Sequence, residues 1–499
     1  MADSTPRRTP RSWLAAGVAL RLLALTRAHL YFDEGNVLML MREPLGDLLD
    51  TLRRNVVYPP GFFLLLRPTG GAEGAVRAAC VAIGVAALLL FDRLVHDVLE
   101  PRAARLATLL FAVSPMAVEL STEAKMYGLE LLALLLAMRA AVRSLGVAQV
   151  EPRPRTAACC AVALAVAVSC QYLAALAGVA LAVTALGAPG LTRRARALVL
   201  AALVAAALAQ VPWLASVAPV AHGAGSHVDV PRQLARAGLR PGQLATILVG
   251  LVSHNLPAVP GLGLRTVSGL ALVALALGWA SLRGAPKTLW LLIPGIFVPI
   301  LAAGAIAPRY PGYGNVGKYA LAAFPPLVLT LGAACARPRG LVLAAALVGL
   351  NALSLAHTFT AMSERELWHE AAAVLRARAG DPVVVWPPTA LMPLCAAEPG
   401  FAPDSARVRL LPVLAYGRPV TRSPEREIFL SLAFSLAIDA EREVGRLAVR
   451  APFTVVLGRP LEASPEARAI VEALSRRHGP ARPLLARGLI PVVYAFGAN

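Results

Sequence analysis

The chain has 499 residues, 57% of them apolar and only 15% charged, with a mean hydropathy of +0.64. Soluble proteins are about 45–50% apolar and about 25% charged, so a purely water-soluble core is excluded and lipid is the solvent for much of the chain. The net charge of +19 is uneven: residues 1–356 hold 31 basic and 15 acidic groups, residues 357–499 hold 17 and 14. The excess therefore belongs to the apolar part, where basic loops set orientation and meet anionic lipid. No basic stripe with interleaved aromatics argues for a nucleic-acid partner, and the six cysteines show neither a disulfide framework nor zinc spacing.

In chain order, apolar segments long enough to cross a bilayer are predicted at 12–30, 75–95, 124–143, 198–219, 266–282, 288–307, 318–336 and 340–356, with a shorter one at 103–119. The run 157–187 is too long for one crossing of a roughly 30 Å hydrocarbon core. It reads as two short helices turning at Gln171–Tyr172, which makes eleven crossings. Arg7, Arg8 and Arg11, then Arg93, Arg102 and Arg105, Arg139, Arg143, Arg153 and Arg155, Arg193, Arg194 and Arg196, Arg283 and Lys287, and Arg337 and Arg339 then all fall on the N-terminal side. The positive-inside rule makes that side cytoplasmic and places 357–499 outside. A cleaved signal peptide over 12–30 is the alternative and would leave the later topology unchanged. The tail alternates strand patterns at Pro382–Trp386, Val408–Val413, Phe453–Leu457 and Ile490–Phe496 with helical patterns at 364–378, 425–447 and 464–478, which predicts a small α/β domain. The fold class expected is a mainly α, polytopic bundle over 1–356 with an extracytoplasmic α/β domain over 357–499.

Carboxylates on the outer side are few: Asp33, Glu34, Glu43, Asp47, Asp50, Glu73, Glu119, Glu123 and Asp229. Asp33 and Glu34 directly follow the first crossing. Adjacent acids at a lipid boundary are costly and point to function; equally, Asp33 reads as the N-cap of a helix starting near Gly35. Residues 36–55 have the apolar spacing of a helix lying along the membrane surface, split at Pro44. Tyr58–Pro59–Pro60–Gly61 is a stiff turn returning the chain to the bilayer. His222, His227, Asp229 and His254 form a conceivable divalent-metal group, but over a Gly-rich loop they read better as solvated side chains. Lys125 and Lys318 read either as site cations or as side chains snorkelling from helix ends. Arg309 reads either as a site cation or as the flank of a turn built by Pro308, Pro311 and Gly312. Arg21, inside the first helix, is expected to pair within the bundle or to snorkel rather than to touch substrate.

Asp33–Glu34, an amphipathic external segment and Tyr58–Pro59–Pro60 together resemble the GT-C glycosyltransferase superfamily, in particular the family 39 branch similar to protein O-mannosyltransferases and aminoarabinose transferases. Ser114–Pro115 with Ser121–Thr122–Glu123–Ala124–Lys125–Met126–Tyr127 resembles its Ser-Pro…Glu-Ala-Arg-x-Tyr stretch. Gln171–Tyr172 is similar to its His-Tyr turn and Lys318–Tyr319 to its basic-aromatic pair. The chain departs from the pattern at Tyr58, where His is usual, and at Lys125 and Lys318, where Arg is usual. The resemblance implies an inverting transfer of a sugar from a polyprenyl-phosphate donor to a lipid, glycan or protein acceptor in a bacterial cytoplasmic membrane, with no cofactor required. It implies Asp33 as general base assisted by Glu34, and Lys125, Tyr127, Arg309, Lys318 and Tyr319 around the donor phosphate. Tyr58, Pro59, Pro60, Glu123, Gln171 and Tyr172 would line the substrate site. The rival readings are a lipid-linked sugar flippase or transporter, although no internal repeat is evident, and a degenerate scaffold.

Overall fold

The computed structural model describes residues 9–55, 58–147, 151–222, 241–254, 263–306, 317–364 and 366–398, followed by 407–411, 414–415, 418–419, 439–447, 449, 451–459, 461, 464–485 and 491–497. Arg7, Arg8, Arg309, Pro308, Pro311, Gly312, His227, Asp229 and most of the helix expected at 425–447 lie outside these residues, and so does the side chain of His222.

The chain is a helical bundle with a small α/β domain at its C-terminal end. Helix α1 (Arg11–Arg27) is followed, after a bend of 88°, by α2 (Phe32–Arg42) and α3 (Leu45–Asn55), parted at Pro44 as expected. The short α4 (Gly61–Leu66) leads into α5 (Glu73–Val98) and α6 (Pro101–Ala112). The expected 103–119 segment is broken: Pro115 cannot continue α6, and Ser114 starts α7 (Pro115–Glu119) by accepting the Ala117 N–H. Helix α8 spans Tyr127–Ser144, so Lys125 lies in a turn ahead of it rather than at a helix end. The long apolar run does turn at Gln171–Tyr172, between α9 (Pro154–Cys170) and α10 (Ala175–Gly187). Then come α11 (Arg193–His222), α12 (Pro241–Ser253), α13 (Leu264–Ser281), α14 (Pro286–Ile306), α15 (Phe324–Cys335) and α16 (Gly340–Glu364). Each of the eleven expected crossings has a helical counterpart. Five of those helices are individually long and apolar enough to span, and α1 with α2 makes a sixth as a bent pair. Helix α12 was expected as loop; its last seven residues, Ile247 to Ser253, are buried on all sides, and tertiary burial stabilises a helix too short to be stable alone.

Helix α16 runs on to Glu364, past the expected boundary at 356, and the C-terminal domain begins at Glu366. Helix α17 (Trp368–Ala377) precedes β1 (Val383–Trp386), α18 (Leu391–Ala397) and β2 (Val408–Leu410). After a minor ladder of β3 (Leu414–Ala415) with β4 (Arg418–Pro419) come α19 (Ala440–Arg446), β5 (Phe453–Leu457), α20 (Pro465–His478), β6 (Arg482–Leu485) and β7 (Val492–Phe496). The main sheet has the order β2-β1-β5-β7-β6, parallel across β2-β1-β5 and antiparallel beyond. Strands β1 and β5 are buried at every position, as parallel strands covered on both faces must be. Strand β6 was not anticipated: it carries Arg482 and Pro483 at a sheet edge, where such residues are tolerated.

The domain docks on α2. A Cβ on Gly35 would stand 2.6 Å from the Cβ of Pro393 in α18, and the Arg42 guanidinium donates to the Cys395 carbonyl at 3.2 Å. Only glycine permits that approach.

Candidate active site: two lysines among buried carboxylates

The expectation that Asp33 caps a helix is not met. Tyr31 is the N-cap of α2, and Asp33 and Glu34 occupy its first turn, where the positive end of the helix dipole favours carboxylates. Their environments differ. Asp33 is 38% exposed and accepts from Lys125 Nζ at 2.8 Å through one oxygen. Glu34 is buried and its two oxygens take four donors. Oε1 accepts from Arg77 at 3.1 Å and from the Ala124 N–H at 2.7 Å. Oε2 accepts from Arg77 at 2.8 Å and from the Tyr31 N–H at 2.9 Å. A carboxylate so engaged has no lone pair left for a substrate. Through the Ala124 N–H, Glu34 is tied to the turn that carries Lys125.

Arg77, on the first turn of α5, uses all five of its N–H groups. Besides Glu34 it donates to Glu73 at 2.8 Å, to the Thr122 carbonyl at 2.8 Å and to the His29 carbonyl at 3.2 Å. The fork geometry of a guanidinium allows this; an ammonium has only three donors. Segment 28–34, helix α5 and turn 120–126 are thereby joined.

Lys125 is 9% exposed and lies 5.0 Å from the Tyr31 ring centroid. Burial alone would lower its pKa, but Asp33 and then Glu123 outweigh it and hold the ammonium well above its ordinary range. Lys318 is 4% exposed, donates to Glu123 at 2.5 Å and to Glu119 at 3.3 Å, and stands 5.6 Å from the Tyr127 ring centroid. Neither lysine snorkels to an interface; both are buried counter-ions. The second Glu119 oxygen lies 2.7 Å from His254 Nε2. His254 is buried and is the one non-glycine residue with positive φ (47°) among the described residues, so it is held in place rather than solvated. No group of three or more His, Cys, Asp or Glu suited to a metal ion occurs among the described residues.

Tyr58–Pro59–Pro60 and Gln171–Tyr172 meet at the same end. A Cβ on Gly61 would lie 2.6 Å from the Ser169 carbonyl oxygen, which seats the Pro-Pro turn against the end of α9. The Tyr172 hydroxyl accepts from Trp213 Nε1 at 2.8 Å, and Tyr58 is a neighbour in the electrostatic environment of Lys125. Tyr319 is half-buried beside Lys318 and packs on the bundle core. Arg21 pairs with the Gly17 and Ala112 carbonyls inside the bundle, as expected.

Four groups escaped sequence reasoning: Tyr31, Arg77, Glu366 and His369. Glu366 is buried beside Asp33. It accepts from Trp368 Nε1 at 2.5 Å and from the backbone N–H of Phe32. Burial pushes its carboxyl up to about 8 against the pull of those donors, with Asp33 and Glu34 adding to the rise. His369 Nε2 meets Glu73 at 3.0 Å, and that contact raises its pKa. One signal was available: the chain has only three lysines, Lys125, Lys287 and Lys318, and two of them are here.

No family model and no curated protein matches the sequence. Solved structures do match the fold. The crystal structure of ArnT from Cupriavidus metallidurans bound to undecaprenyl phosphate gives a TM-score of 0.59 at 13% identity over 97% of each chain, and its apo state gives 0.58 over the same shares. The archaeal oligosaccharyltransferase AglB from Archaeoglobus fulgidus, in complex with an inhibitory peptide and a dolichol-phosphate, gives 0.52 at 12% identity over 92% of this chain and 71% of that one. At such identity the likeness is one of architecture: the chain shares the overall fold of these membrane proteins, from its first helix to its C-terminal domain.

Proposed function

We propose that the protein is an integral membrane glycosyltransferase that moves a sugar from a polyprenyl-phosphate donor to an extracytoplasmic acceptor with inversion. The observation that carries this reading is the pairing of a half-open carboxylate, Asp33, with a buried ammonium, Lys125, just beyond the first crossing. Asp33 takes the proton of an acceptor hydroxyl as that oxygen attacks the anomeric carbon. The bond from that carbon to the phosphate oxygen breaks, and the polyprenyl phosphate leaves with the electron pair. Charge grows on the leaving phosphate, and Lys125, released from Asp33 as the latter gains a proton, is free to meet it. Lys318, with Tyr127 beneath it, supplies the second cation once it shares itself between Glu123 and phosphate; Tyr319 is proposed in the same shell, and Arg309, outside the described residues, stays a candidate from the resemblance alone.

The orientation follows from the same face-sharing. Asp33, Lys125, Lys318 and the α/β domain stand at one end of the bundle. At the other, Asp97 pairs with Arg139 and Arg143, Arg337 reaches the Leu277 carbonyl, and Lys287 approaches Gly190. We place the arginine-rich end in the cytoplasm of a bacterium and the site outside, where sugars arrive on lipid carriers.

The experiment is sugar transfer from a polyprenyl-phosphate donor by the purified full-length protein in detergent, where no vectorial movement can be scored. Transfer by the wild type and none by a folded Asp33→Asn variant is the result expected. No transfer by the wild type with any lipid-phosphate donor would favour a flippase, and full activity of Asp33→Asn would remove Asp33 as base.

A further inference from the structure

Among the described residues, two titratable side chains of the C-terminal domain, Glu366 and His369, make contacts that lead to the Asp33–Lys125 pair. Glu366 receives the N–H of Phe32, the first residue of the helix whose next residue is Asp33, and it is itself held by Trp368. Trp368 is fully buried and its ring centroid lies 6.2 Å from that of Phe32. On the other side, His369 holds one oxygen of Glu73, the second oxygen of Glu73 holds Arg77, and Arg77 grips Glu34 and the Thr122 carbonyl. Glu34 in turn accepts the N–H of Ala124, the residue before Lys125. An unbroken chain of hydrogen bonds thus runs from His369 to the turn that carries Lys125.

We propose that the domain is a working part of the site: Glu366 and His369 are positioning residues that fix the Asp33 helix and the Lys125 turn against each other. The inference rests on the transferase reading only for the reaction it serves. Groups that orient a reacting residue through an outer shell are commonly as sensitive to mutation as the inner ones.

Amine acylation tests it without an activity assay. The chain has three lysines, so a small acylating reagent at pH 8.5 and mass spectrometry of the full-length protein in detergent read Lys125 and Lys318 separately, with Lys287 at the opposite end as internal reference. In the wild type Lys125 is buried and held as an ammonium by Asp33 and Glu123, so it acylates slowly. In His369→Ala and in Glu366→Ala we expect Lys125 labelling to rise three- to tenfold, roughly half to one pKa unit of lost restraint, with Lys287 unchanged. His369→Gln, which keeps a donor for Glu73, should return labelling toward wild type. If His369→Ala does not purify as a monodisperse protein, Glu366→Ala carries the test, with the same expected rise against the Lys287 reference. Unchanged Lys125 labelling in folded variants would overturn the inference. Transfer with unchanged labelling sinks this inference alone; raised labelling without transfer in any form of the protein sinks the transferase reading alone.

Discussion

At the end of the bundle that holds Asp33, charges are buried and interlocked; at the opposite end they are open and separate. Asp97 there meets Arg139 and Arg143 at 2.8 and 3.2 Å, but the arginine side chains stay 22% and 36% exposed. Asp92 is satisfied by the hydroxyls of Thr9 and Thr108. Solvated pairs of that kind contribute little and need no partner network. Around Asp33, by contrast, Arg77, Glu34, Lys318 and Glu119 are almost wholly out of water. Burying so many ions costs more than their mutual attraction returns unless every donor and acceptor is placed. An arrangement that expensive, found among the described residues at the end that holds Asp33, is the feature on which the proposed site rests.

The contrast can be broken experimentally, beginning with the largest effect. Replacing Asp33 by Asn should lower transfer by about 10³-fold, within the range for loss of a general base, in a protein that still folds but with a lowered Tm, since buried Lys125 loses its nearest counter-ion. Arg77→Ala leaves Glu34 buried without its counter-ion, and an unpaired buried charge costs about 3–5 kcal/mol; a large fall in Tm of the detergent-solubilised protein is the expected outcome, and an unchanged Tm would show that the interlocked end is no more cooperative than the open one. Lys125→Ala should reduce kcat/KM for the lipid-phosphate donor by about 10²-fold, the usual loss for one transition-state donor, and equal effects on donor and acceptor KM would argue instead for general disruption. At the open end, Asp97→Asn should change stability by less than about 1 kcal/mol and leave transfer intact.

A pH series sharpens the same comparison. The groups facing Glu366 are Asp33 and Glu34, with the donors of Trp368 and Phe32. Because its folded pKa, about 8, lies above its ordinary value of 4.5, the folded state holds the proton more tightly. The stability it confers is complete below about 4.5 and is lost as pH rises through about 8. His369, facing Glu73, Glu370 and Arg77, is also raised and contributes in the same direction, its share fading as pH climbs above 6.5 and through its folded value. Tm should therefore decline across the neutral-to-alkaline range, and the decline should be shallower in Glu366→Gln. A slope identical in the two proteins would assign the titration elsewhere.

The bundle was readable from residue order because spanning helices announce themselves by length and lack of charge, and the arginines fixed the parity that demanded a turn at Gln171–Tyr172. Strands β1, β5 and β7 were readable as apolar runs between turn residues. Strand β6 was not, since Arg482 and Pro483 obey the rules of an edge rather than of a core. In the site, Asp33, Lys125 and Lys318 stood out as charges next to lipid. What stayed hidden was pairing: Glu34 with Arg77, Glu366 with the Phe32 N–H and His369 with Glu73 join residues far apart in the chain, and no local periodicity records which donor meets which acceptor. Glu34 read as an assistant to Asp33 that orients a partner, but the residues it engages, Arg77 and the N–H groups of Tyr31 and Ala124, were not legible.

The hairpin at Gln171 carries a consequence for the surrounding lipid. Helix α9 has 17 residues, about 25 Å of rise, and its partner α10 is shorter still at 13 residues, against a hydrocarbon slab about 30 Å thick. A bilayer touching that flank must thin to match it. On the transferase reading proposed above, a flank thinned in this way would be a route for a carrier lipid to approach the bundle.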